Sequence, residues 1–208
     1  MDKDTVWRHI HQQRRALADQ LSRLDDDQWE HDSLCAGWTV RDVAAHVIST
    51  PAIGWAEVLR MTPSMLRGYN RAIFEDAKRR GRREPAEILA DYERYDGSRH
   101  HVPTTTHVEP LIDVLVHSQD ILRPLDIDHA MPPDAAAAAA DRARLLAPLT
   151  GSRRLVRGAR MVAEDVDWAR GRGPVIEGPM QELLMLSCGR DARVETLSGD
   201  GRELLRAG

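Results

Sequence analysis

Apolar residues recur at helical spacing through most of the first 150 residues. Between Thr5 and about Leu24 they recur every three or four positions, which predicts an amphipathic helix capped by Thr5. Five further helical stretches are predicted, over residues 39–48, 51–83 (one or two helices, broken near Pro63 or Gly68), 84–99, 109–122 and 135–147. The N-terminal part of the chain is therefore predicted to be all helical.

The pattern changes after about residue 150. Partial alternation over residues 159–166 and a short apolar run over 174–177 predict two strands. A helix is predicted over 180–188, ended by Gly189, and a turn over 198–202 precedes a last short helix. The predicted fold is mainly α, with a helical domain over 1–150 and a small α+β domain over 151–208.

Charge and composition narrow the range of partners. The chain of 208 residues has a formal net charge of -4, which argues against a general attraction to nucleic acid or anionic membranes. The basic run over residues 78–83 is interpreted as a solvated helix end, with a nucleic-acid patch as the alternative. No apolar run of about 18 residues and no signal-peptide core occur, so a soluble, cytoplasmic protein without a membrane segment is expected.

The two cysteines, Cys35 and Cys188, are far apart in the sequence and form no CxxC motif. This spacing argues against a disulfide framework and against a thiolate zinc site. Cys35 has no neighbour in the sequence that would lower the pKa of its thiol. We therefore interpret Cys35 as a small buried or rim thiol rather than a nucleophile.

The helix predicted over 109–122 contains an unusual polar pair. Asp113 and His117 stand four residues apart among aliphatic residues, so they lie side by side on one helix face. A carboxylate in such surroundings needs a partner, because burying an unpaired charge is costly. The spacing by itself favours an intrahelical hydrogen bond at the edge of a core, and the alternative is that the two residues are ligands of a metal site that lacks its third.

His46 is the candidate for that third ligand. Thr39 and Asp42 form a capping-box-like start, and the helix that follows places His46 near the apolar face formed by Val43 and Val47. A histidine on an apolar face also occurs as an ordinary core residue. The loop before residue 109 offers further histidines, which we expect to be exposed and not to act as ligands: His100, His101 and His107.

Four stretches of the chain resemble a known family. Residues 37–46 (GWTVRDVAAH) resemble the signature of the N-terminal domain of mycothiol-dependent maleylpyruvate isomerases, and residues 113–125 (DVLVHSQDILRPL) resemble the second metal-binding helix of that family. Residues 168–174 and 186–191 resemble its C-terminal part. The resemblance implies a DinB-like antiparallel four-helix bundle, with the small α+β part appended to it.

The resemblance also implies a site and a reaction. A divalent metal, expected to be zinc, would be bound by His46, Asp113 and His117; the family commonly has Glu where this chain has Asp113. Two His and one carboxylate leave open positions, as in catalytic zinc sites. The implied activity is an isomerase or transferase reaction in which mycothiol, activated as a metal-bound thiol, attacks a small electrophile. Arg190 would orient an anionic group as a catalytic residue, or would simply bond to backbone carbonyls at a helix end.

Two other functions remain open at the level of sequence. The bundle could keep its metal and act as a non-catalytic sensor or interaction module. A nucleic-acid-associated role, suggested by the DinB-like fold and the basic run, is disfavoured by the net charge. The expected partners are thus a small thiol and an electrophilic substrate, without nucleic acid or membrane. Whether the protein forms a homodimer is left open.

Overall fold

The computed structural model describes residues 1–205, and their contacts group into two compact units, residues 1–129 and the residues from 130 onward. No helix in the described part of the chain has the length and apolar character needed to cross a membrane. The first unit contains the helices α1 (Lys3–Leu21), α2 (Asp26–Glu30), α3 (Val40–Ser49), α4 (Trp55–Met65), α5 (Tyr69–Arg80), α6 (Pro85–Arg94) and α7 (Glu109–Leu122).

Helix α1 begins two residues earlier than the sequence suggested. The cap is Asp2, whose carboxylate accepts a hydrogen bond from the Thr5 backbone N–H at 3.0 Å, so Thr5 lies inside the first turn. The prediction of Thr5 as the cap was wrong, because an Asp three residues upstream satisfies the same backbone donors. The apolar stripe is otherwise as predicted, with Trp7, Ile10 and Leu17 fully buried.

Four helices form the core of the first unit. Helix α1 packs against α6 and α7, and α3 packs against the same two helices. Their shared interior is aliphatic and fully buried, and it includes Leu17, Leu21, Val43, Ile48, Ile88, Val114 and Ile121. Burial of such side chains stabilises the fold by roughly 1.5–3 kcal/mol each. The predicted four-helix bundle is thus observed, with α3 and α7 in contact.

The segment 51–83 forms a helical hairpin outside this bundle. Its break falls at Gly68, whose φ of 128° is open to glycine and strained for other residues, and not at Pro63, which lies within α4. Helix α5 packs on both α4 and α3. The hairpin leaves several large apolar side chains exposed, namely Trp55, Leu59, Leu66, Tyr69 and Phe74.

The second unit combines three helices with a small sheet. Helices α8 (Pro133–Thr150), α9 (Arg153–Gly158) and α10 (Met180–Ser187) accompany strands β1 (Arg160–Ala163), β2 (Ala169–Gly171) and β3 (Val175–Gly178). The sheet order is β2-β1-β3, with β2 antiparallel and β3 parallel to β1. The short strand β2 was missing from the prediction, and the mainly helical fold with an α+β appendage is confirmed.

Helix α8 belongs to the second unit by its contacts. Its alanines are buried at helical spacing (Ala135, Ala136, Ala139, Ala140, Ala143 and Ala147) and the helix packs against α10. The compact units therefore divide after His129, whereas the sequence suggested a boundary at 150. The sequence boundary followed the end of the helical pattern, which does not reveal what a helix packs against.

Candidate metal centre

Helix α3 places His46 through a well-fixed start. The Thr39 hydroxyl accepts from the Asp42 backbone N–H, and the Asp42 carboxylate accepts from the Thr39 N–H, at 3.3 and 3.0 Å. This capping box confirms the predicted start of the helix. Lys78 of α5 also donates to Asp42, at 2.6 Å. Gly81 lies so close that a β-carbon there would fall 2.1 Å from Asp42 Oδ1.

Helix α7 places Asp113 and His117. It spans Glu109–Leu122 as predicted, with Pro110 in its first turn. The Glu109 carboxylate accepts the Thr106 backbone N–H at 2.9 Å, which fixes the chain as it enters the helix. Leu111, Val114 and Leu115 are buried, so core packing fixes the orientation of α7 about its own axis. In this orientation Asp113 and His117 are partly exposed.

The three predicted ligands come together. His46, Asp113 and His117 each offer a ligand atom, and these atoms lie within 4.8 Å of one another. The two imidazoles meet edge to face, with ring centroids 5.1 Å apart. Two ligands of one tetrahedral zinc ion lie roughly 3.3–3.6 Å apart, given bonds of about 2.0–2.2 Å. The side chains present therefore fit a divalent ion after small torsional shifts.

Trp38 forms an apolar wall beside both histidines. Its ring lies 5.2 Å from the His46 ring and 6.2 Å from the His117 ring, measured between centroids. Phe74 of α5 lies against the other side of Trp38, at 6.4 Å. A wall of this kind limits the torsional freedom of the imidazoles and lowers the polarity around them.

A second group of residues, Asp120 and Cys35, orients His117 through its Nδ1 atom. Its Nδ1 lies 2.9 Å from Oδ2 of Asp120, and the Cys35 thiol donates to the same oxygen at 3.1 Å. Asp120 is fully buried, and its backbone carbonyl accepts from the Leu34 N–H. With Nδ1 engaged, Nε2 is the nitrogen left for a metal, in the arrangement by which a carboxylate fixes a ligating histidine.

The electrostatics of the two α7 residues differ. Burial raises the pKa of Asp113, an effect that the charges of His117 and Arg14 oppose. Burial on its own would lower the pKa of His117, but hydrogen bonds to Asp120 and Cys35 outweigh it and raise that pKa to about 10. Without a bound ion, His117 is therefore held as an imidazolium, and metal binding would release its Nε2 proton.

The sequence left an Asp113–His117 hydrogen bond open as the simpler explanation of the pair. The ring nitrogen of His117 bonds to Asp120 instead, one turn further along the helix. Arg123, three residues after Asp120, donates from its Nε to the Gln119 side chain at 2.7 Å. The contact between Cys35 and His117, at 3.6 Å, could not be foreseen, because 82 residues separate them.

The other predicted functional residues lie elsewhere. Arg190 is in the second unit, where it lines a cavity of about 280 Å³ and donates to the Cys188 carbonyl at 3.4 Å. This is the backbone contact that the simpler interpretation of Arg190 expects, and its catalytic role stays a prediction. His101 stacks on Trp7. It belongs to neither of the two groups of potential metal ligands found in the described residues, which are His46, Asp113 and His117, and Cys35, His117 and Asp120.

The basic run is engaged in ion pairs within the first unit. Arg79 and Arg80 both bind Asp76, at 2.6 and 2.7 Å, and Arg83 binds Asp91. These contacts account for the run as a structural feature of the helix end.

Comparison with known proteins identifies the N-terminal part of the chain. Residues 10–110 match the model of the mycothiol maleylpyruvate isomerase N-terminal domain. No curated protein matches the chain.

Two solved structures share the fold of the chain over almost its whole length. They are crystal structures of the mycothiol-dependent maleylpyruvate isomerase and of a histidine-to-alanine mutant of it, at 16% and 15% identity. Each match has a TM-score of 0.61 and covers 96% of this chain and 93% of the other. The resemblance stated from the sequence is thus confirmed, as is the expectation of an enzyme. Over residues 10–110, the chain is thus similar to the mycothiol maleylpyruvate isomerase N-terminal domain.

Proposed function

We propose that this protein is a metal-dependent enzyme that uses a low-molecular-weight thiol as nucleophile against a small electrophile. The observation that carries the proposal is that ligand atoms of His46, Asp113 and His117 lie within 4.8 Å of one another. The two helices that carry them are held by core packing and, for α3, by a capping box. The similarity of residues 10–110 to the mycothiol maleylpyruvate isomerase N-terminal domain supports mycothiol as the thiol and isomerisation or transfer as the reaction. Zinc is the proposed ion.

The donor set decides what the site can do. Two imidazoles and one carboxylate leave at least one position of a four-coordinate ion open for a ligand from solution. When bound, the ion would supply a thiolate at neutral pH, since coordination lowers the pKa of a thiol. Asp120 would hold the Nδ1 proton of His117 and so keep Nε2 directed at the ion.

The residues around the site suggest how the substrate is handled. Trp38 closes one side with an apolar surface, which excludes water from that face. Tyr69 is about half exposed, and its partial burial, together with the nearby carboxylates of Asp113 and Glu109, raises the pKa of its phenol. A neutral phenol at the mouth of the site could donate a hydrogen bond to a polar group of the substrate.

Metal binding is the first test. Titration of the purified chain with zinc, followed by metal analysis after gel filtration, is expected to give one ion per chain. His46→Ala and His117→Ala are expected to bind on the order of 10²–10³-fold more weakly, since a zinc site of four ligands contributes roughly 10–16 kcal/mol in total. The exposed His31 offers the matched control, and His31→Ala should bind as the unchanged protein does. Unchanged binding in both site variants would remove the proposed site.

Thiol chemistry is the second test. The zinc-loaded protein should accelerate loss of a model electrophile only when thiol is present, and His46→Ala should abolish this acceleration. A protein that binds zinc with the expected affinity but never accelerates the reaction would instead be a metal-binding module without catalysis.

A further inference from the structure

Arg14, in the middle of α1, is a buried cation that the described part of the chain leaves largely unsatisfied. The side chain is 5% exposed, and its Nη2 donates to the Thr50 hydroxyl at 3.3 Å. Its Nε and Nη1 are shielded from solvent and meet no hydrogen-bond acceptor among the described residues. A buried donor without a partner costs about 1–3 kcal/mol, and more when it is charged. A ligand that brings a hydrogen-bond acceptor to Arg14 would remove this cost.

Nearby groups do not supply this acceptor. Asp113 of α7 and Tyr92 of α6 are close enough to raise the pKa of Arg14 electrostatically, but neither is hydrogen-bonded to it. The Tyr92 hydroxyl donates to the Ala44 carbonyl at 3.0 Å. Burial lowers the pKa of Arg14, yet a guanidinium stays protonated in proteins. The side chain is therefore a cation whose charge is only partly balanced.

Arg14 lines a cavity of about 480 Å³, whose walls come from α1 and α6. Tyr92 is buried beside it, and Leu89 and Tyr95 provide partly buried apolar surface. Arg15 lines the same cavity, but its guanidinium forms two hydrogen bonds of 2.8 Å with Asp96. His11 is held towards its neutral form, because burial and the charge of Arg14 both lower its pKa.

The rim of the cavity sets the kind of anion that fits. Asp19, Glu93 and Asp96 line the cavity and are exposed, so they place screened negative charge at its mouth. A doubly charged phosphate would be repelled more strongly there than a single carboxylate. The apolar walls favour an organic body, and the volume is typical of sites for small molecules.

We propose that the cavity between α1 and α6 is a binding site for a small organic carboxylate, with Arg14 as its anion-binding residue. Because Nε and Nη1 are covered in the ligand-free chain, binding includes rotation of the Arg14 side chain into the cavity that it lines. Charge-assisted hydrogen bonds between a guanidinium and a carboxylate offset the cost of this rotation. The site is separate from the three candidate metal ligands, although Arg14 acts electrostatically on Asp113.

Benzoate and its neutral analogue benzamide give a matched pair of probes for the full-length chain. Calorimetry or ligand-observed NMR should show saturable binding of benzoate, with benzamide about 10–100-fold weaker, the factor expected for a hydrogen bond to a charged group. Arg14→Met should weaken benzoate binding by the same factor. Arg15→Gln, on the same cavity, should leave it within about twofold. Inorganic phosphate should bind no better than benzamide.

Thermal unfolding separates a ligand-binding Arg14 from a structural one. If the side chain serves a ligand, Arg14→Met should keep or raise the melting temperature, because it removes buried donors that have no partner. A strong fall in melting temperature with unchanged benzoate affinity would overturn the proposal. Absence of saturable benzoate binding would also overturn it, and so would equal affinity for benzoate and benzamide. Both outcomes are measured on the unchanged protein, so they are available even if Arg14→Met does not fold.

The carboxylate could belong to the substrate or to a separate effector. Benzoate that competes with a carboxylate-bearing electrophile in the thiol assay would identify the substrate's own carboxylate. Benzoate that changes the maximal rate without competing would identify an effector site. The binding measurements need neither metal nor turnover, so they stand even if the proposed enzymatic function fails.

Discussion

Two aspartates of the first unit, the buried Asp76 and the partly buried Asp113, have opposite surroundings. Asp76 of α5 has a side chain that is 5% exposed and accepts from Arg60, Arg79 and Arg80 at 3.0, 2.6 and 2.7 Å. These partners lower its pKa although burial acts to raise it. Among residues 1–205, Asp113 of α7 has no such donors, and burial raises its pKa. Both are aspartates on helices of the same unit, so the difference lies in what surrounds each carboxylate.

The comparison distinguishes structural charge from charge available to a ligand. The lone pairs of Asp76 are taken by the protein's own cations, so this residue holds α4 and α5 together. Asp113 offers a carboxylate oxygen that lies within 4.8 Å of ligand atoms of His46 and His117, an arrangement that can take up a cation. The expected effects of mutation therefore differ in kind: loss of stability at Asp76 and loss of ion binding around His117.

The largest effect is expected from Asp76→Ala. Arg80, whose side chain is 11% exposed, would lose its partner, and breaking a buried pair costs roughly 3–5 kcal/mol of unfolding free energy. Urea unfolding measures this change. Asp96→Ala, which removes the exposed partner of Arg15, is the matched control and should change stability little. An equally small loss of unfolding free energy in the two variants would show that the Asp76 cluster does not stabilise the fold.

A smaller effect is expected from Asp120→Asn. Removing the charge that holds the Nδ1 proton of His117 should weaken zinc binding by about 10–100-fold, the usual effect of such outer partners. A competitive titration with a chromophoric chelator measures it. Cys35→Ala, which removes a weaker donor to the same oxygen, should change affinity by less than about threefold. A larger effect at Cys35 would assign the thiol a direct part in ion binding.

The pH dependence of stability should follow the lowered pKa of Asp76. Since folding favours its ionised form, the stabilisation is complete above the unfolded value of about 3.9 and is lost as pH falls through the lower folded value. The gap in unfolding free energy between the unchanged protein and Asp76→Asn should narrow below about pH 4. A gap that stays constant down to pH 2.5 would contradict this origin.

The smallest effect is expected from Arg79→Ala. The Arg79 side chain is 45% exposed, so its pair with Asp76 should contribute no more than about 1 kcal/mol. Arg80→Ala, at 11% exposure, should cost more than Arg79→Ala by the same urea measurement. The reverse order would mean that exposure does not govern the strength of these pairs.

Local signals in the sequence were sufficient for the helices that carry the candidate ligands. Thr39 and Asp42 marked the start of α3, and Pro110 the first turn of α7, because caps and proline act within a few residues. Asp2 was missed as a cap for an equally local reason: Thr5 and Asp2 both fit the pattern of a helix start.

Contacts between distant residues could not be predicted in this way. Cys35 and Arg14 appeared as an unremarkable thiol and as one of many arginines, since neither has informative neighbours in the sequence. Their significance comes from Asp120 and Thr50, which the fold brings beside them. Strand β2 was missed because three residues carry too little alternation to indicate a strand.

The close approach of Gly81 to Asp42 has a consequence for how sequences of this type can vary. Any side chain at position 81 would displace the carboxylate that starts α3, or would force the end of α5 away from it. Such a shift would turn or translate α3 and move His46 relative to α7. A residue outside the candidate metal site thus limits which substitutions the site can tolerate.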